Sequence, residues 1–376
     1  MKCVICGHGE AADILGVCLS CIRESPKDAE ILIRKAHRLA REPYSLPPEI
    51  PRSSDPRARR CVLCSNECII APGEVGYCGV RKNLGDRIGS PFPGQGLLMT
   101  YEDLLPTNCC ASWFCPGSLA LPGEMKVNVA VFFYGCNFDC LFCQNESHRQ
   151  LRLPPLVSLD AFVSRVKSNP KAECVCYFGG SPEPQLPFAL RASKRLVELL
   201  DEGDGTEDGG FVDKSSRRGK ALPRICWEWN GCGNPALVRR ATELSFQSGG
   251  VVKFDLKAFD ENLSLALSGV SNRRAFENFE MIAENFFDDR DAPIITATTL
   301  LVPGYVDEVE VERIAEFISG LSSEIPYSLL IFHPDFCMRD LTITPRSQAA
   351  RCLEAAKKHL NRVYLGNKQM LALAPP

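Results

Sequence analysis

Three cysteines, Cys136, Cys140 and Cys143, stand in the run Gly135-Cys-Asn-Phe-Asp-Cys-Leu-Phe-Cys-Gln144, directly after the apolar run Val127 to Tyr134. Their spacing is C-x3-C-x2-C. Three thiolates can hold three irons of a four-iron, four-sulfur (4Fe-4S) cluster. The fourth iron then stays open to a small molecule, which makes such a cluster a catalyst rather than an electron wire. The same spacing also allows three ligands of a zinc ion whose fourth ligand comes from elsewhere.

Two further cysteine sets precede this triplet. Cys3-x2-Cys6 and Cys18-x2-Cys21 are paired knuckles separated by 11 residues, a spacing that lets four thiolates converge on one ion. Zinc fits best, and iron suits the same tetrahedral geometry. So short a segment cannot build its own core, so a staple is the first role to expect and partner docking the second. His8 lies inside the loop but four cysteines already fill the shell. Cys61, Cys64, Cys68 and Cys78 follow as C-x2-C-x3-C-x9-C. These four thiolates suffice for a closed zinc or iron site or for a second cluster, and spacing does not separate the options. Cys109, Cys110 and Cys115, near Trp113, could line an active site, ligate a centre or be plain buried thiols. Cys174, Cys176, Cys226, Cys232, Cys337 and Cys352 carry no assignment.

Twenty cysteines in 376 residues, mostly in tight spacings, favour metal binding over a disulfide framework. A net charge of −3 predicts no strong attraction to nucleic acid or acidic lipid. No apolar stretch approaches the roughly 20 residues that a membrane span needs, and the N-terminus has no apolar signal core. The expectation is a cytoplasmic chain.

The elements that must position these cysteines change character along the chain. After the knuckles a helix is expected, with Ser25 as its cap and Pro26 in its first turn. Ile31, Ile33, Ala36, Leu39 and Ala40 form its apolar stripe, while Arg34, Lys35, Arg38 and Arg41 face away as a solvated basic face. The expected organisation is a zinc-ribbon-like four-cysteine module plus helix over 1–42, a linker over 43–60, a second cysteine-rich module over 61–124, and a catalytic core over 125–376. In that core short apolar runs alternate with amphipathic helices. Strands are expected at 127–135, 174–179, 224–229, 251–256, 293–301 and 327–333, with an edge strand at 361–366. Several lack clean alternation, as strands buried on both faces of a parallel sheet do. Asn234-Pro235 and Thr344-Pro345 read as helix starts. The fold class is α/β, a partial parallel (β/α)6 TIM-like barrel with small N-terminal metal-binding modules. Such barrels place chemistry at the C-terminal ends of their strands, where the triplet lies. The polar, Gly-rich stretch 201–220 reads as a mobile insertion.

Other strand ends also carry chemistry. The second ends in Phe178-Gly-Gly-Ser-Pro-Glu-Pro184, where two glycines let backbone approach a ligand closely. The third reads Cys226-Trp-Glu-Trp-Asn-Gly231 and the fourth Lys253-Phe-Asp-Leu-Lys257. Buried charges need partners. Asp255 and Lys257, two apart, share a face and can both point into the barrel, as a ligand site or as a salt bridge. His333 ends the sixth strand.

The motifs CNFDCLFCQN, FGGSPEP, WNG, DLKAFD, SGVSN, LLVPG, FHPDF and VYLGN, in this order, resemble the radical S-adenosylmethionine (SAM) superfamily. Within it they resemble the branch containing the activating enzymes of glycyl-radical enzymes, such as that of pyruvate formate-lyase, and the AmmeMemoRadiSam proteins. Residues 61–83 also resemble the N-terminal segment of the latter. The resemblance implies that Cys136, Cys140 and Cys143 hold a 4Fe-4S cluster and that Phe142 packs near the adenine of SAM. It implies that Gly179 and Gly180 meet the SAM amino group. Asn230, Asp255, Lys257 and His333 would lie around its carboxylate and ribose. The implied reaction is reductive cleavage of SAM to a 5′-deoxyadenosyl radical, which takes hydrogen from a peptide or protein substrate. A flavodoxin or ferredoxin would supply the electron. Two departures stand out. The extra cysteines precede the triplet, which argues against a simple glycyl-radical activator. Glu228 is followed by Trp229 rather than a small polar residue, which puts a cation site beside the SAM carboxylate in doubt. The competing reading is a non-enzymatic, metal-stapled adaptor that binds protein or RNA through its N-terminal modules.

Overall fold

The computed structural model describes residues 1–118, 125–201, 223–288 and 292–375. The insertion expected at 201–220 lies, apart from Asp201, outside the described residues.

One sheet organises the chain. Its strands are β1 (Gln95–Leu104), β2 (Val127–Phe133), β3 (Leu156–Ser158), β4 (Ala172–Gly179), β5 (Arg224–Trp229), β6 (Val252–Asp255), β7 (Ile295–Leu301), β8 (Tyr327–Ile331) and β9 (Val363–Gly366). The order across the sheet is β9-β8-β7-β6-β5-β4-β2-β1-β3. Every pairing from β2 to β9 is parallel, whereas β1 is antiparallel to both its neighbours. The expected strands therefore form a parallel α/β sheet, with the edge segment as its last strand. The antiparallel β1 was not expected, because only Gly96, Leu97 and Leu98 of its ten residues are buried.

Helices connect the parallel strands: α3 (Leu159–Ser168), α4 (Leu186–Asp201), α5 (Pro235–Ser248), α6 (Glu261–Ser268), α7 (Arg273–Phe286), α8 (Glu308–Leu321) and α9 (Arg346–Lys357). They follow the N-terminal α1 (Leu19–Glu24) and α2 (Pro26–Arg41). Asn234 caps α5 by accepting from Ala236 N, the cap its Asn-Pro start requires. Thr344 does not cap α9. Its hydroxyl donates to Leu301 O at 2.8 Å and accepts from Phe332 N, tying the ends of β7 and β8 together.

The N-terminal helices pack onto the barrel. Arg23 forks onto Asp307 at 3.0 and 3.1 Å and reaches Glu310 at 2.7 Å, at the start of α8. Buried Tyr305 accepts from Ala12 N and donates to Val17 O. A single hydrophobic core runs from Cys3 and Leu15 through the barrel to Leu360. The basic face expected on α2 is only partly solvated. Arg41 is buried, its guanidinium 3.6 Å from the centre of the Tyr77 ring and donating to Pro47 O. Ile31 and Leu39, placed on the apolar stripe, are exposed. Position 41 turns inward because a carboxylate from the barrel, Asp139, waits there. Among the described residues no helix is long and apolar enough to cross a membrane.

Candidate functional site

A cavity of about 180 Å³ opens at the C-terminal ends of β2, β4, β5 and β6. Cys136, Cys140 and Cys143 line it from the loop after β2. Gly179 and Gly180 line it from the end of β4, Glu228, Trp229 and Asn230 from β5, and Asp255 and Lys257 from β6. Phe142 completes this wall. The sheet brings together residues more than a hundred positions apart because parallel strands share one C-terminal edge. A larger cavity of about 700 Å³, bounded by α2, the 48–52 segment and α6, holds none of these cysteines.

The turn after β4 requires glycine twice. Gly179 has φ +104°, and a Cβ there would lie 2.6 Å from Phe133 N. A Cβ on Gly180 would lie 2.2 Å from Gly135 O. Bare backbone therefore forms this wall. Asn137 and Asn230 exchange side-chain hydrogen bonds at 3.2 and 2.8 Å, which clamps the cysteine loop to the end of β5. Asn230 also donates to Ser181 Oγ. Glu183 accepts from Gly231 N at 3.0 Å and from the Ser181 hydroxyl. Burial pushes its carboxyl up to about 7, against the lowering effect of those donors. Sequence reasoning quoted Glu183 within its motif but gave it no role.

Asp255 and Lys257 form a close ion pair, with the ammonium 5.7 Å from the centre of the Phe142 ring. Burial works against the Lys257 charge, but Asp255 and Cys140 offset it and hold the ammonium above its ordinary range. Burial pushes the Cys140 thiol up to about 11, opposed by Lys257, and raises Cys136 well above a free thiol. A metal must displace these protons to bind. His333 stands apart. It is exposed, bonds Asp335 at 3.2 Å and is not among the residues lining the cavity.

The loop is anchored from behind by a group that sequence reasoning missed. Asp139, between the first two cysteines, is fully buried. It accepts from His37 Nδ1 at 2.8 Å, lies 3.2 Å from an Arg41 guanidinium nitrogen, and accepts from Arg149 at 3.1 Å. Burial alone would raise its pKa, but His37 and the two guanidinium groups hold it well below the carboxylate range. Arg149 also donates to Cys140 O at 3.3 Å and stacks on Phe336. No local signal marks Asp139, since its partners come from α2 and from residue 149.

The earlier cysteine sets differ from one another. The sulfurs of Cys3, Cys6, Cys18 and Cys21 all lie within 4.8 Å of each other, with the Cys3–Cys21 and Cys6–Cys18 pairs at 3.8 Å. That is about the edge of a tetrahedron of thiolates around one ion. Among the described residues this is the one group of three or more potential ligands gathered so closely. Cys61, Cys64, Cys68 and Cys78 are buried together but spread more widely.

Residues 130–318 match the profile of the Radical SAM superfamily. The chain belongs to the radical SAM superfamily. A putative glycyl-radical enzyme activating enzyme of Methanocaldococcus jannaschii is 25% identical over 217 residues, covering 57% of this chain and 71% of that protein. An uncharacterized protein of the same organism is 24% identical over 318 residues, covering 82% and 81%. The isethionate sulfite-lyase activating enzyme of Desulfovibrio desulfuricans is 32% identical over 155 residues, covering 40% and 46%.

The residues of this radical SAM chain fit the cluster and SAM that the superfamily implies. The triplet's sulfurs surround a cavity instead of closing on one ion. Gly179 and Gly180 line the cavity with bare backbone, because a Cβ on either would strike the backbone of Phe133 or Gly135. His148 Nδ1, on a residue lining the cavity, is buried without a hydrogen-bond partner, and such an atom is costly unless a ligand meets it.

Proposed function

We propose that this radical SAM enzyme cleaves SAM to abstract hydrogen from a peptide or protein substrate. The observation carrying the reading is that the thiol triplet and the bare glycine wall line one cavity at the strand ends. Cys136, Cys140 and Cys143 would hold the 4Fe-4S cluster, which supplies the electron that breaks SAM and generates a radical. Gly179 and Gly180 offer backbone to the SAM amino group. Asn230, Asp255 and Lys257 are placed to orient its carboxylate and ribose, and Phe142 to pack on its base. The clamp of Asn137 on Asn230 keeps the loop and strand end in register, and buried Asp139 keeps the loop from shifting outward. The protein substrate rests on the activating enzymes among the relatives. A flavodoxin or ferredoxin is the expected electron donor.

Zinc suits the closed set at Cys3, Cys6, Cys18 and Cys21. A second cluster suits Cys61, Cys64, Cys68 and Cys78, whose sulfurs gather less closely than the Cys3 set. A Cβ on Gly135 would lie 2.9 Å from Cys78 O, so this tetrad abuts the triplet loop and is placed to pass electrons to it.

The test is 5′-deoxyadenosine formation from SAM by anaerobically reconstituted protein with a low-potential reductant, beside a Cys136/Cys140/Cys143→Ala variant. Product from the wild type alone is expected. No product from a wild type with full iron and sulfide, in the presence of cell extract as a source of substrate, would overturn the reading.

A further inference from the structure

A cavity of about 160 Å³ lies between the second cysteine-rich module and the start of α4. It shares no lining residue with the SAM cavity. Arg81 and Arg87 line it, each just ahead of one strand of a short hairpin in which Lys82–Asn83 pairs with Ile88–Gly89. Arg191 lines it from α4, with Phe188 nearly one turn earlier. The segment from Gly89 to Gln95 forms its rim. That segment is held by Phe92 N donating to Ser90 Oγ at 3.2 Å and Gln95 N donating to Phe92 O at 3.3 Å. Gln185 fixes the opposite wall, because its amide is fully engaged with the backbone of Leu97 and Tyr134.

The lining carries three guanidinium groups and no carboxylate. Arg87 has an acid partner, Asp86 at 2.8 Å, which is not part of the lining. Arg81 and Arg191 have no carboxylate partner among the described residues. Arg81 is 9% exposed, and its Nε donates to Pro184 O at 2.7 Å. Its two terminal nitrogens have no partner among the described residues. Arg191 likewise spends only its Nε, on Pro187 O at 3.0 Å. Solvent alone suits Arg87 and Arg191, which are exposed, but not Arg81, which is buried. Burial pulls the Arg81 pKa below its ordinary value and the Arg191 charge adds to the fall, while the tetrad thiols Cys78 and Cys61 oppose it. Cations gathered in this way cost free energy unless an anion sits between them. The first turn of α4 lies here too, and its partial positive charge favours an anion in the same place.

We propose that Arg81, Arg87 and Arg191 form a binding site for a doubly charged oxyanion of the phosphate class. The planar guanidinium fork matches phosphate oxygens in pairs. Two arginines without carboxylates ask for two negative charges, which one carboxylate does not supply. The volume equals the share of about five liquid waters, which suits a phosphate group and is too small for a nucleotide. Phe92 and Phe188 stand in the same lining, so an organic body attached to the phosphate has apolar surface to meet. Arg81 also borders the Cys61–Cys78 tetrad, while Arg191 belongs to the barrel. An anion held between them ties the second module to the barrel. The site stands apart from SAM cleavage and does not depend on it.

The experiment is calorimetric titration of the full, anaerobically reconstituted chain with inorganic phosphate and with phenyl phosphate, at fixed ionic strength. Acetate serves as the singly charged comparison. The variants are R81Q and R191Q, with cooperative melting as the check on folding. R195Q is the control, since Arg195 is an exposed arginine one turn further along α4 that already pairs with Asp160. The wild type is expected to bind a phosphate about tenfold or more tighter than acetate. R191Q and R81Q should each weaken that binding about tenfold or more, and R195Q by less than about threefold. Tighter phenyl phosphate assigns the site to an organic phosphate, and equal or tighter inorganic phosphate to the free ion. No saturable binding of either phosphate, acetate bound as tightly, or equal losses in R191Q and R195Q overturns the proposal. Arg191 is exposed, so R191Q decides if R81Q does not fold. Because binding is read without any turnover, failure here is distinct from failure to cleave SAM.

Discussion

At the N-terminal knuckles, four sulfurs lie within 4.8 Å of one another, close enough to share one ion. At the barrel mouth, three sulfurs stand around a cavity of about 180 Å³ and are held from behind by hydrogen bonds to their loop. Both are tight cysteine spacings in sequence. The difference lies in what surrounds the sulfur. A closed shell spends every coordination position on the protein and can only stabilise, whereas an incomplete shell beside a cavity keeps one position for a reactant.

Exchanging the roles of the two sets breaks this comparison most sharply. Cys140→Ala should reduce 5′-deoxyadenosine formation by far more than the ~10–100-fold that a ligand's outer partner contributes, with little change in melting. Cys18→Ala should do the reverse, costing on the order of 3 kcal/mol or more of stability while product per folded, iron-loaded chain persists. Equal effects of both on activity and melting would remove the distinction.

Asp139→Asn probes the anchoring of the open set. It leaves two buried guanidinium groups without their anion, so urea unfolding should show a loss of about 3–5 kcal/mol. A loss under about 1 kcal/mol would mean that the anchor does not hold the loop. Glu183→Gln tests the wall beside it. Because the folded carboxyl titrates near 7, the native state favours its protonated form. The stability this brings is complete below about pH 4.5 and is lost as pH rises through about 7. The variant should therefore gain on the wild type by about 3 kcal/mol between about pH 5 and pH 8, and a pH-independent difference would contradict the buried-acid reading.

The parallel strands were legible because strands buried on both faces read as runs of β-branched and apolar residues with few charges, as in Val127–Phe133 and Ile295–Leu301. The cysteine sets were legible because ligand spacing is local. Register was not. Cys176 and Cys226 become neighbours only when β4 meets β5, and nothing in either run states which residues will pair. Long-range polar contacts were equally silent, since His37 and Asp139 meet across 102 positions. Arg41 read as solvated because its helix alternates charge and apolar residues, and only the barrel's buried carboxylate reverses that reading. His333 read as a barrel-end ligand by position alone, yet the chain beyond β8 carries it outward to Asp335.

The Asp139 anchor also bears on how the chain can be divided. Family motifs begin near residue 130, which invites expression of the barrel alone. Such a fragment would lack α2 and leave Asp139 with Arg149 as its only partner from the present three. It would also open the packing of Tyr305 and Arg23 at the start of α8. The smallest autonomous unit is therefore larger than the stretch that the family profile matches, and a truncation series should show loss of cooperative unfolding well before it reaches the first residue of that stretch.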